Sequence, residues 1–434
     1  MRDEPLKAMD SAIKVAILTQ FYPPDYAATG QLIEELAKYL SRQGIHIQVL
    51  TGQPGYAYKA PKAPKSEQDE NVKVRRLSTA HLWPHRIRGR MLNGLLFCLR
   101  AGCCLLRASY RGDVLLITSE PPYLPILGYF AHLLFGTPYI CLTYDLYPDI
   151  AVKLHVFPAR HWLVRLWNWL NRSIWQRANR IIVLNQSMRT CIIEKCPELK
   201  DRIGTIHNWA NPQWIVPMDK HKNWFAQKFN LVSQFVVLYS GNLGRCHDME
   251  TILQTAEYLK DFPVRFVFIG NGIKQRLCQT RIKQLGLQNC QFLPYQDKAH
   301  LPYSLTACDL SLVTIAPGME GLIAPSKLYA ALASGRPIAA ICEDTSYLSQ
   351  LIDEAGCGAA FKNGDACGLA AFIKTLASDR ILAREMGQAG RCYLKRNFTL
   401  AIAAEKYAQV LHQAVISRNA VVTARSPDVR KQNL

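Results

Sequence analysis

The sequence predicts an α/β protein made of two doubly wound domains that face each other across a cleft. Its 434 residues suit two or three domains. With 49% hydrophobic and 20% charged residues, the chain can form substantial buried cores. Short apolar, β-rich segments alternate with longer segments of helical periodicity, and this alternation occurs twice. Such alternation is typical of parallel βαβ units, so we expect two parallel sheets covered by helices.

The first series of strands and helices lies in the N-terminal half. It starts with the apolar run VAILTQF at 15–21, followed at 30–44 by a segment of helical periodicity that ends at a glycine. The uncharged stretch 121–144 contains four prolines, which favours a buried helix followed by a strand over a membrane-spanning helix. The further predicted strands of this half are IQVLTG, VKVRRLS, DVLLITS, PYICLTY and RIIVLN.

The second series follows a polar, Trp- and Pro-containing segment at 207–224. Its predicted strands are QFVVLYSG, VRFVFIGNG, NCQFLPY, DLSLVTI and PIAAIC, with helices starting near Asp248 and at Pro325. Ligands of such sheets bind beyond the carboxyl ends of the strands, so the cleft is the expected site. We expect a flexible N-terminus at 1–12, an acceptor-side domain at 13–210, a donor-side domain at 211–385, closing helices at 386–416 and a disordered tail at 417–434.

The cysteines and the N-terminus exclude several classes of protein. Fourteen cysteines include no CxxC pair and no Cys/His set at zinc spacing, so the sequence predicts no metal site. Adjacent Cys103 and Cys104 in an apolar run fit the reduced thiols of a cytoplasmic protein. The N-terminus lacks the pattern of a signal peptide, and we predict no membrane-spanning segment.

Positive charge is concentrated in the first domain. The formal net charge is +19, and residues 75–189 contain 15 Lys or Arg against 4 Asp or Glu. In a helical projection of 86–111, five arginines share one face and apolar residues from Met91 to Leu106 lie on the opposite face. A second basic segment, at 159–180, contains four tryptophans. This pattern predicts contact with the anionic inner face of a cell membrane, although solvated domain helices or a nucleic-acid surface are alternatives. The predicted membrane-contact residues are Arg86, Arg90, Arg100, Arg107, Arg111, Trp162 and Trp169.

Glycine-containing loops after predicted strands are candidates for binding phosphate. In YSGNLGRCHD, the glycines allow close approach of an anion to the backbone and Arg245 supplies a two-pronged donor. In APSKLYAALASGRP, Pro325 favours a helix start that places Lys327 in the first turn, beside free N–H groups. Ordinary tight turns are the alternative at each loop. The candidate binding residues are Gly30, Gly241, Asn242, Gly270, Gly272, Glu320, Pro325 and Ser326.

One acidic loop in the first domain is a candidate for the acceptor side. TYDLYPD places Asp145 just past a strand end, where a carboxylate can accept a hydroxyl proton or a hydrogen bond from a sugar. An Asp-capped turn is the alternative.

Taken in order, these loops resemble the family-four retaining glycosyltransferases. The resemblance rests on FYPPDYAATGQLIEELAKYL, TSEPPYLP, TYDLYPD, IHNWAN, YSGNLGR, FIGNG and APSKLYAALASGRP, spanning about residues 14–400. The chain is most similar to the bacterial polysaccharide branch, which includes the fucosamine transferases. The resemblance implies a GT-B fold of two Rossmann-like domains, a nucleotide-diphosphate sugar as donor, usually a UDP-sugar, and no cofactor or metal.

The resemblance also implies roles for the candidate residues. Gly241, Asn242, Arg245, Ser326 and Lys327 would surround the donor phosphates, with Arg245 and Lys327 stabilising the leaving diphosphate. Gly270 and Gly272 would border the base, Gly30 would approach the donor from the other domain, and Asp145 would line the acceptor side. Acceptors in this branch are often lipid-linked sugars, which agrees with the basic amphipathic helices.

The chain departs from the family pattern at three places. Many members carry two glutamates separated by seven residues, but Leu322 and Ala330 stand there, with Glu320 two positions away. The lysine that usually follows the phosphate-binding arginine is missing, and Tyr144 replaces a common histidine. The expected function is a sugar transferase of cell-surface polysaccharide synthesis; a non-catalytic membrane-docked subunit or a nucleotide-sugar epimerase are alternatives.

Overall fold

Two parallel α/β sheets form the framework of the protein, as the sequence predicts. The structure is a computed structural model, which describes residues 13–25, 27–55, 63–78 and 87–425. The predicted flexible segment 1–12 lies outside these residues, as does the end of the predicted tail, 426–434.

The N-terminal sheet has eight strands in the order β3-β4-β2-β1-β5-β6-β7-β8, and only the pairing of β3 with β4 is antiparallel. From β1 the chain continues to β2 on one side, and from β5 it continues to β6 on the other side. The carboxyl ends of β1 and β5, which are neighbours, therefore form the switch point of the sheet. The strands are β1 Lys14–Leu18, β2 His46–Gly52, β3 Ser66–Asp69, β4 Val72–Leu77, β5 Val114–Thr118, β6 Tyr139–Thr143, β7 Arg180–Val183 and β8 Ile203–Thr205. The helices of this half are α1 Ala28–Arg42, α2 Ile87–Leu105, α3 Ile126–Phe135, α4 Asp149–Lys153, α5 Trp162–Arg177 and α6 Gln186–Lys195.

The C-terminal sheet has six parallel strands in the order β11-β10-β9-β12-β13-β14, with its switch point between β9 and β12. The strands are β9 Phe235–Ser240, β10 Val264–Ile269, β11 Cys290–Leu293, β12 Leu310–Thr314, β13 Ile338–Ile341 and β14 Gly358–Phe361. The helices are α7 Trp224–Lys228, α8 Glu250–Tyr258, α9 Gln275–Gln284, α10 Leu301–Thr306, α11 Lys327–Ala333, α12 Tyr347–Ala355 and α13 Ala366–Ser378.

Two long helices close the chain, α14 Arg380–Asn397 and α15 Leu400–Arg425. Helix α15 returns to the N-terminal half, where it packs beside α1, β5 and β6. Its Tyr407 meets Trp209 edge-on, with ring centroids 6.4 Å apart. The last helix therefore ties the two halves together.

Three expectations about single elements are wrong. The tail predicted to be disordered from Ser417 is helical to Arg425, because 417–425 contains no glycine or proline and the first breaker is Pro427. Helix α3, expected to be buried, exposes one apolar face: Phe130 and Leu134 are 47% and 65% exposed. The third concerns α2, which ends at Leu105, so that Arg107 and Arg111 lie beyond it and a single helical projection does not apply to them.

Candidate active site

A glycine and a lysine from two different loops meet at the switch point of the C-terminal sheet. Gly241 directly follows β9 with a φ of +132°, a conformation that favours glycine. Lys327 is the first residue of α11, and its Cε would lie 3.6 Å from a Cβ built on Gly241. The Lys327 ammonium donates a hydrogen bond to the Tyr239 hydroxyl and sits 3.8 Å from the centre of that ring. Burial lowers the pKa of Lys327 to about 7, so this cation is poorly solvated until an anion arrives.

Arg245 and Asn242 are exposed on the same loop. Among the described residues, no hydrogen bond or ion pair holds the Arg245 guanidinium, so its donors are available to a ligand. Burial raises the pKa of the neighbouring Cys246 thiol to about 11; Asp145 raises this pKa further, while Lys274 and Arg245 lower it. The loop therefore lies within electrostatic reach of a carboxylate on the other domain.

Gly270 and Gly272 have a packing role that the sequence did not reveal. A Cβ on Gly270 would overlap the Gly241 carbonyl oxygen, and one on Gly272 would overlap the Leu243 carbonyl. The two loops are held backbone to backbone, with Gly241 donating to Ile269 (2.8 Å) and Leu243 donating to Asn271 (2.9 Å). Both glycines are therefore required to position the Gly241 loop; their contact with a base stays a prediction.

The loop before α11 carries the remaining predicted donor-side residues. The helix begins two residues later than expected, at Lys327, so Ser326 is its N-cap. The Ser326 side chain makes no capping hydrogen bond and is exposed, while Pro325 is buried. Both carboxylate oxygens of Glu320 are buried and lack a hydrogen-bond partner in the described part of the chain. A buried carboxylate without a partner is costly, and a ligand hydroxyl would relieve that cost. Ala330, which stands at the second glutamate position of the family pattern, carries no polar group in its side chain.

Three carboxylates converge on the N-terminal side of the cleft. Asp145 follows β6, and burial raises its pKa to about 6. Glu120 follows β5, and burial together with Asp145 and Asp25 raises its pKa to about 7. One Glu120 oxygen is buried without a hydrogen-bond partner among the described residues, while Thr29 bonds to its carboxylate. Sequence reasoning missed Glu120, although its position just past a strand end, in TSEPPYLP, is the same signal that identified Asp145.

Gly30, in the first turn of α1, lies against the loop that follows β1. A Cβ there would lie 2.9 Å from the Phe21 carbonyl carbon and 3.0 Å from the Tyr22 nitrogen, so the helix can approach this loop only with glycine at that position.

Sequence reasoning also missed Lys274, whose ammonium donates to the His247 carbonyl. This lysine, two residues after Gly272, adds positive charge beside the Arg245 loop, near the place where the family lysine is missing.

Backbone contacts join the two sides of the cleft. Leu146, next to Asp145, donates to the Leu322 carbonyl at 2.9 Å. A Cβ on Gly321 would lie 3.0 Å from the Ser187 carbonyl oxygen of α6. The acidic loop of one domain thus packs against the loop that leads to Lys327 in the other.

The predicted membrane-contact residues fall into three groups. Trp162 and Trp169 of α5 are 65% and 62% exposed, and Arg100 and Arg107 are also exposed. Arg111 is different: its guanidinium donates to the Leu105 and Leu106 carbonyls and lies 3.7 Å from the centre of the Phe135 ring, so it caps the end of α2. Arg86 and the side chain of Arg90 lie outside the described residues.

Helix α2 buries one apolar face, with Phe97 and Ala101 in the core, and exposes apolar residues on the other. Met91, Leu95 and Leu99 are 51%, 48% and 60% exposed. Helix α3 packs against both α2 and α5, and the exposed apolar side chains of the three helices form what we call the outer apolar face. Its residues are Met91, Leu95, Leu99, Phe130, Leu134, Trp162 and Trp169. Among the described residues, no helix is long and apolar enough to cross a membrane. Nor do those residues include a group of three or more His, Cys, Asp or Glu placed to hold a metal ion.

Comparison with known sequences matches both halves of the chain to glycosyltransferase domains. Residues 28–209 match the glycosyl transferase 4-like domain, and residues 221–392 match the glycosyl transferases group 1 domain. Over 306 residues the chain is 29% identical to the probable glycosyltransferase WbjE of Pseudomonas aeruginosa, covering 69% of this chain and 74% of that protein. Over 118 residues it is 34% identical to the putative colanic acid biosynthesis glycosyl transferase WcaI of Escherichia coli K12, covering 27% and 29% of the two chains.

Solved structures show the same arrangement of the two sheets. Sucrose-phosphate synthase of Thermosynechococcus elongatus superposes with a TM-score of 0.75 at 16% identity, covering 93% of this chain and all of that one. Anabaena HepE in complex with UDP and glucose superposes with a TM-score of 0.69 at 17% identity, covering 92% and 99%. WaaG, a glycosyltransferase involved in lipopolysaccharide biosynthesis, gives 0.67 at 14% identity, covering 92% and 99%. These likenesses confirm the expected two-domain GT-B fold.

Proposed function

We propose that this chain, which belongs to the family-four glycosyltransferases of GT-B fold, transfers a sugar from a UDP-sugar to a lipid-linked or polysaccharide acceptor with retention of configuration. The observation that carries the proposal is the pairing of two cations with a glycine loop at the donor-side switch point. Lys327 lies against Gly241, and Arg245 is exposed four residues later on the same loop, where a diphosphate would receive backbone and side-chain donors together. HepE, of the same fold, holds UDP and glucose, which supports the choice of UDP.

The proposed reaction uses charge stabilisation on one side of the cleft and an acceptor-binding carboxylate on the other. The bond from the anomeric carbon to the diphosphate oxygen breaks while Arg245 and Lys327 stabilise the negative charge that develops on the diphosphate. The acceptor hydroxyl, hydrogen-bonded to Asp145, forms the new bond on the same face of the sugar, and its proton passes to a diphosphate oxygen. The unpartnered Glu320 carboxylate would accept a hydrogen bond from a hydroxyl of the donor sugar.

Release of UDP tests this proposal directly. A panel of UDP-sugars is incubated with and without the organism's lipid-linked acceptor extract, using wild type, Lys327→Ala and Arg245→Ala, with the exposed Lys260→Ala as a matched control. We expect acceptor-dependent release from one sugar, a loss of about 10² or more in the two site variants, and no change in the control. UDP binding without turnover would instead support a non-catalytic subunit, and conversion of the sugar without acceptor would support an epimerase.

The site of action that we propose is the inner face of the cell membrane, in synthesis of a cell-surface or exported polysaccharide. The outer apolar face, its two exposed tryptophans and the net positive charge of this half support attachment to an anionic bilayer. WcaI is described as a colanic acid biosynthesis enzyme and WaaG as one involved in lipopolysaccharide biosynthesis, and both support the polysaccharide assignment.

Co-sedimentation with vesicles tests the membrane proposal. Wild type should sediment with vesicles that contain anionic lipid, and a Trp162→Gln, Trp169→Gln double variant should lose most of that binding. Ile381→Gln, which replaces a residue 72% exposed in the other half, is the control and should bind normally. Equal sedimentation of all three proteins would refute the assignment of the outer apolar face.

A further inference from the structure

Helix α5 and the segment that leads into α3 enclose an apolar groove beside the acidic loop. The groove has a volume of about 190 Å³. Leu163, Leu166, Trp167 and Leu170 of α5 line one side, and Tyr123 and Ile126 line the other.

Two polar groups at the groove are already engaged within the protein. The Tyr123 hydroxyl donates to the Met91 carbonyl at 2.6 Å, and the Asn171 amide donates to the Tyr147 carbonyl, also at 2.6 Å. The lining therefore presents carbon atoms and aromatic ring surface to a ligand, which suits a hydrocarbon and is poorly suited to a sugar or a nucleotide.

One end of the groove is joined to the proposed acceptor site. The Trp167 ring stacks on Tyr147, with centroids 6.1 Å apart and planes 19° apart. Tyr147 lies two residues after Asp145, in the loop that also contacts Leu322 across the cleft. A ligand bound at Asp145 therefore has the groove beside it.

The other end is continuous with the outer apolar face. Leu166, which lines the groove, is 44% exposed, and on the same helix Trp162 and Trp169 are exposed to a greater extent. Arg165, adjacent to Leu166 in the chain, is exposed and makes no ion pair among the described residues, so this cation is available to the head groups of an anionic bilayer.

From this placement we propose that the groove binds the hydrocarbon chain of a lipid-phosphate-linked acceptor and guides it from the membrane to the Asp145 loop. The inference rests on the proposed transferase function and specifies its acceptor. The protein binds the lipid chain of this acceptor directly, so the acceptor is neither a free sugar nor a detached polysaccharide.

Soluble isoprenoid phosphates that share one head group test the groove without the natural acceptor. Dimethylallyl, geranyl and farnesyl monophosphate are titrated into the full-length protein without vesicles, and tryptophan fluorescence is followed because Trp167 lines the groove. Each methylene buried on binding contributes up to about fourfold in affinity, so we expect affinity to rise with chain length. Leu166→Gln should weaken farnesyl monophosphate by about tenfold and leave dimethylallyl monophosphate almost unchanged.

Two controls make the result specific to the groove. Leu277→Gln, which replaces a residue 68% exposed on α9, should bind the whole series like wild type. Leu166→Gln should still sediment with anionic vesicles and bind UDP normally. An affinity that does not depend on chain length in wild type, or an equal dependence in Leu166→Gln, would overturn the inference. Loss of vesicle binding by Leu166→Gln with unchanged farnesyl affinity would assign the groove to the membrane surface and also overturn it.

UDP-sugar turnover, measured in parallel, separates this inference from the proposed function. If chain-dependent binding is present but no UDP is released with any acceptor, the transferase proposal fails while the groove remains a lipid-chain site. If turnover occurs and chain dependence is absent, only the groove assignment fails.

Discussion

The protonation state of Lys327 makes donor binding depend on pH in a direction that can be stated in advance. Burial lowers the pKa of this lysine to about 7, so near neutral pH the unliganded protein is a mixture of ammonium and amine. Only the ammonium attracts a diphosphate. Binding should therefore draw a proton onto Lys327 and return its pKa toward the ordinary value of about 10.4.

The size of the effect follows from that pKa. As pH rises from 6 to 8.5, the charged fraction of a group with a pKa of about 7 falls from about nine tenths to about 3%, so donor affinity should fall about 30-fold. The neighbouring His247 does not compete in this window, because burial and the Lys327 charge lower its pKa to about 3. Lys274 and Arg245 add positive charge beside the same loop.

Calorimetric titration with a UDP-sugar, whose diphosphate has no free terminal phosphate to titrate, measures this dependence. Wild type should lose affinity with rising pH and should take up close to one proton per donor at pH 8, detected as a dependence of the heat on buffer. Lys327→Met should bind weakly at pH 6 and show almost no further loss. An affinity that is flat from pH 6 to 8.5, or that falls in parallel in both proteins, would refute the assignment of Lys327 to the diphosphate.

Three further substitutions probe other parts of the site. Arg245→Lys keeps the charge but loses the two-pronged geometry, so kcat/KM in UDP release should fall about 10- to 100-fold, whereas an unchanged value would show that charge alone suffices. Asp145→Asn should lower turnover by about 10² or more while calorimetry gives an unchanged UDP affinity; weakened UDP binding would place Asp145 on the donor side instead. Glu120 has a raised pKa of about 7, so its native environment disfavours the ionised form and its contribution to stability is lost as pH rises through 7. Glu120→Gln should therefore raise thermal stability at pH 8.5, by roughly 1–3 kcal/mol in free energy, with little effect at pH 4.5, and an equal shift at both values would contradict the burial argument.

The central strands were predictable from the sequence, whereas short edge strands were not. Strands such as β1, β5 and β9 are buried on both faces and appear as continuous apolar runs. Strand β3, with the sequence SEQD, is an exposed antiparallel edge, and β8 has only three residues. Such strands form because an existing edge offers unpaired backbone groups, a property of the assembled sheet that local sequence does not encode.

The candidate site was predictable to the extent that strand ends identify it. Lys327, Arg245 and Asp145 all follow strands whose carboxyl ends meet at the cleft, as their sequence positions indicated. Tyr239 could not be found in this way, because its hydroxyl meets Lys327 through a contact 88 residues apart in the chain. The exposure of the apolar residues on α2 and α3 was also hidden, since periodicity identifies the apolar face of a helix without saying what that face packs against.

The electrostatics of the two sides of the cleft are coupled through the donor itself. In the unliganded protein, burial raises the pKa of Asp145 to about 6 and lowers that of Lys327 to about 7. Burial therefore disfavours the charged form of both side chains. A diphosphate bound at Lys327 would stabilise the ammonium, and its negative charge would raise the pKa of Asp145 further. The two ionisations are therefore linked: with the donor bound, a smaller fraction of Asp145 is ionised near neutral pH, while the proton of the acceptor hydroxyl still passes to the diphosphate.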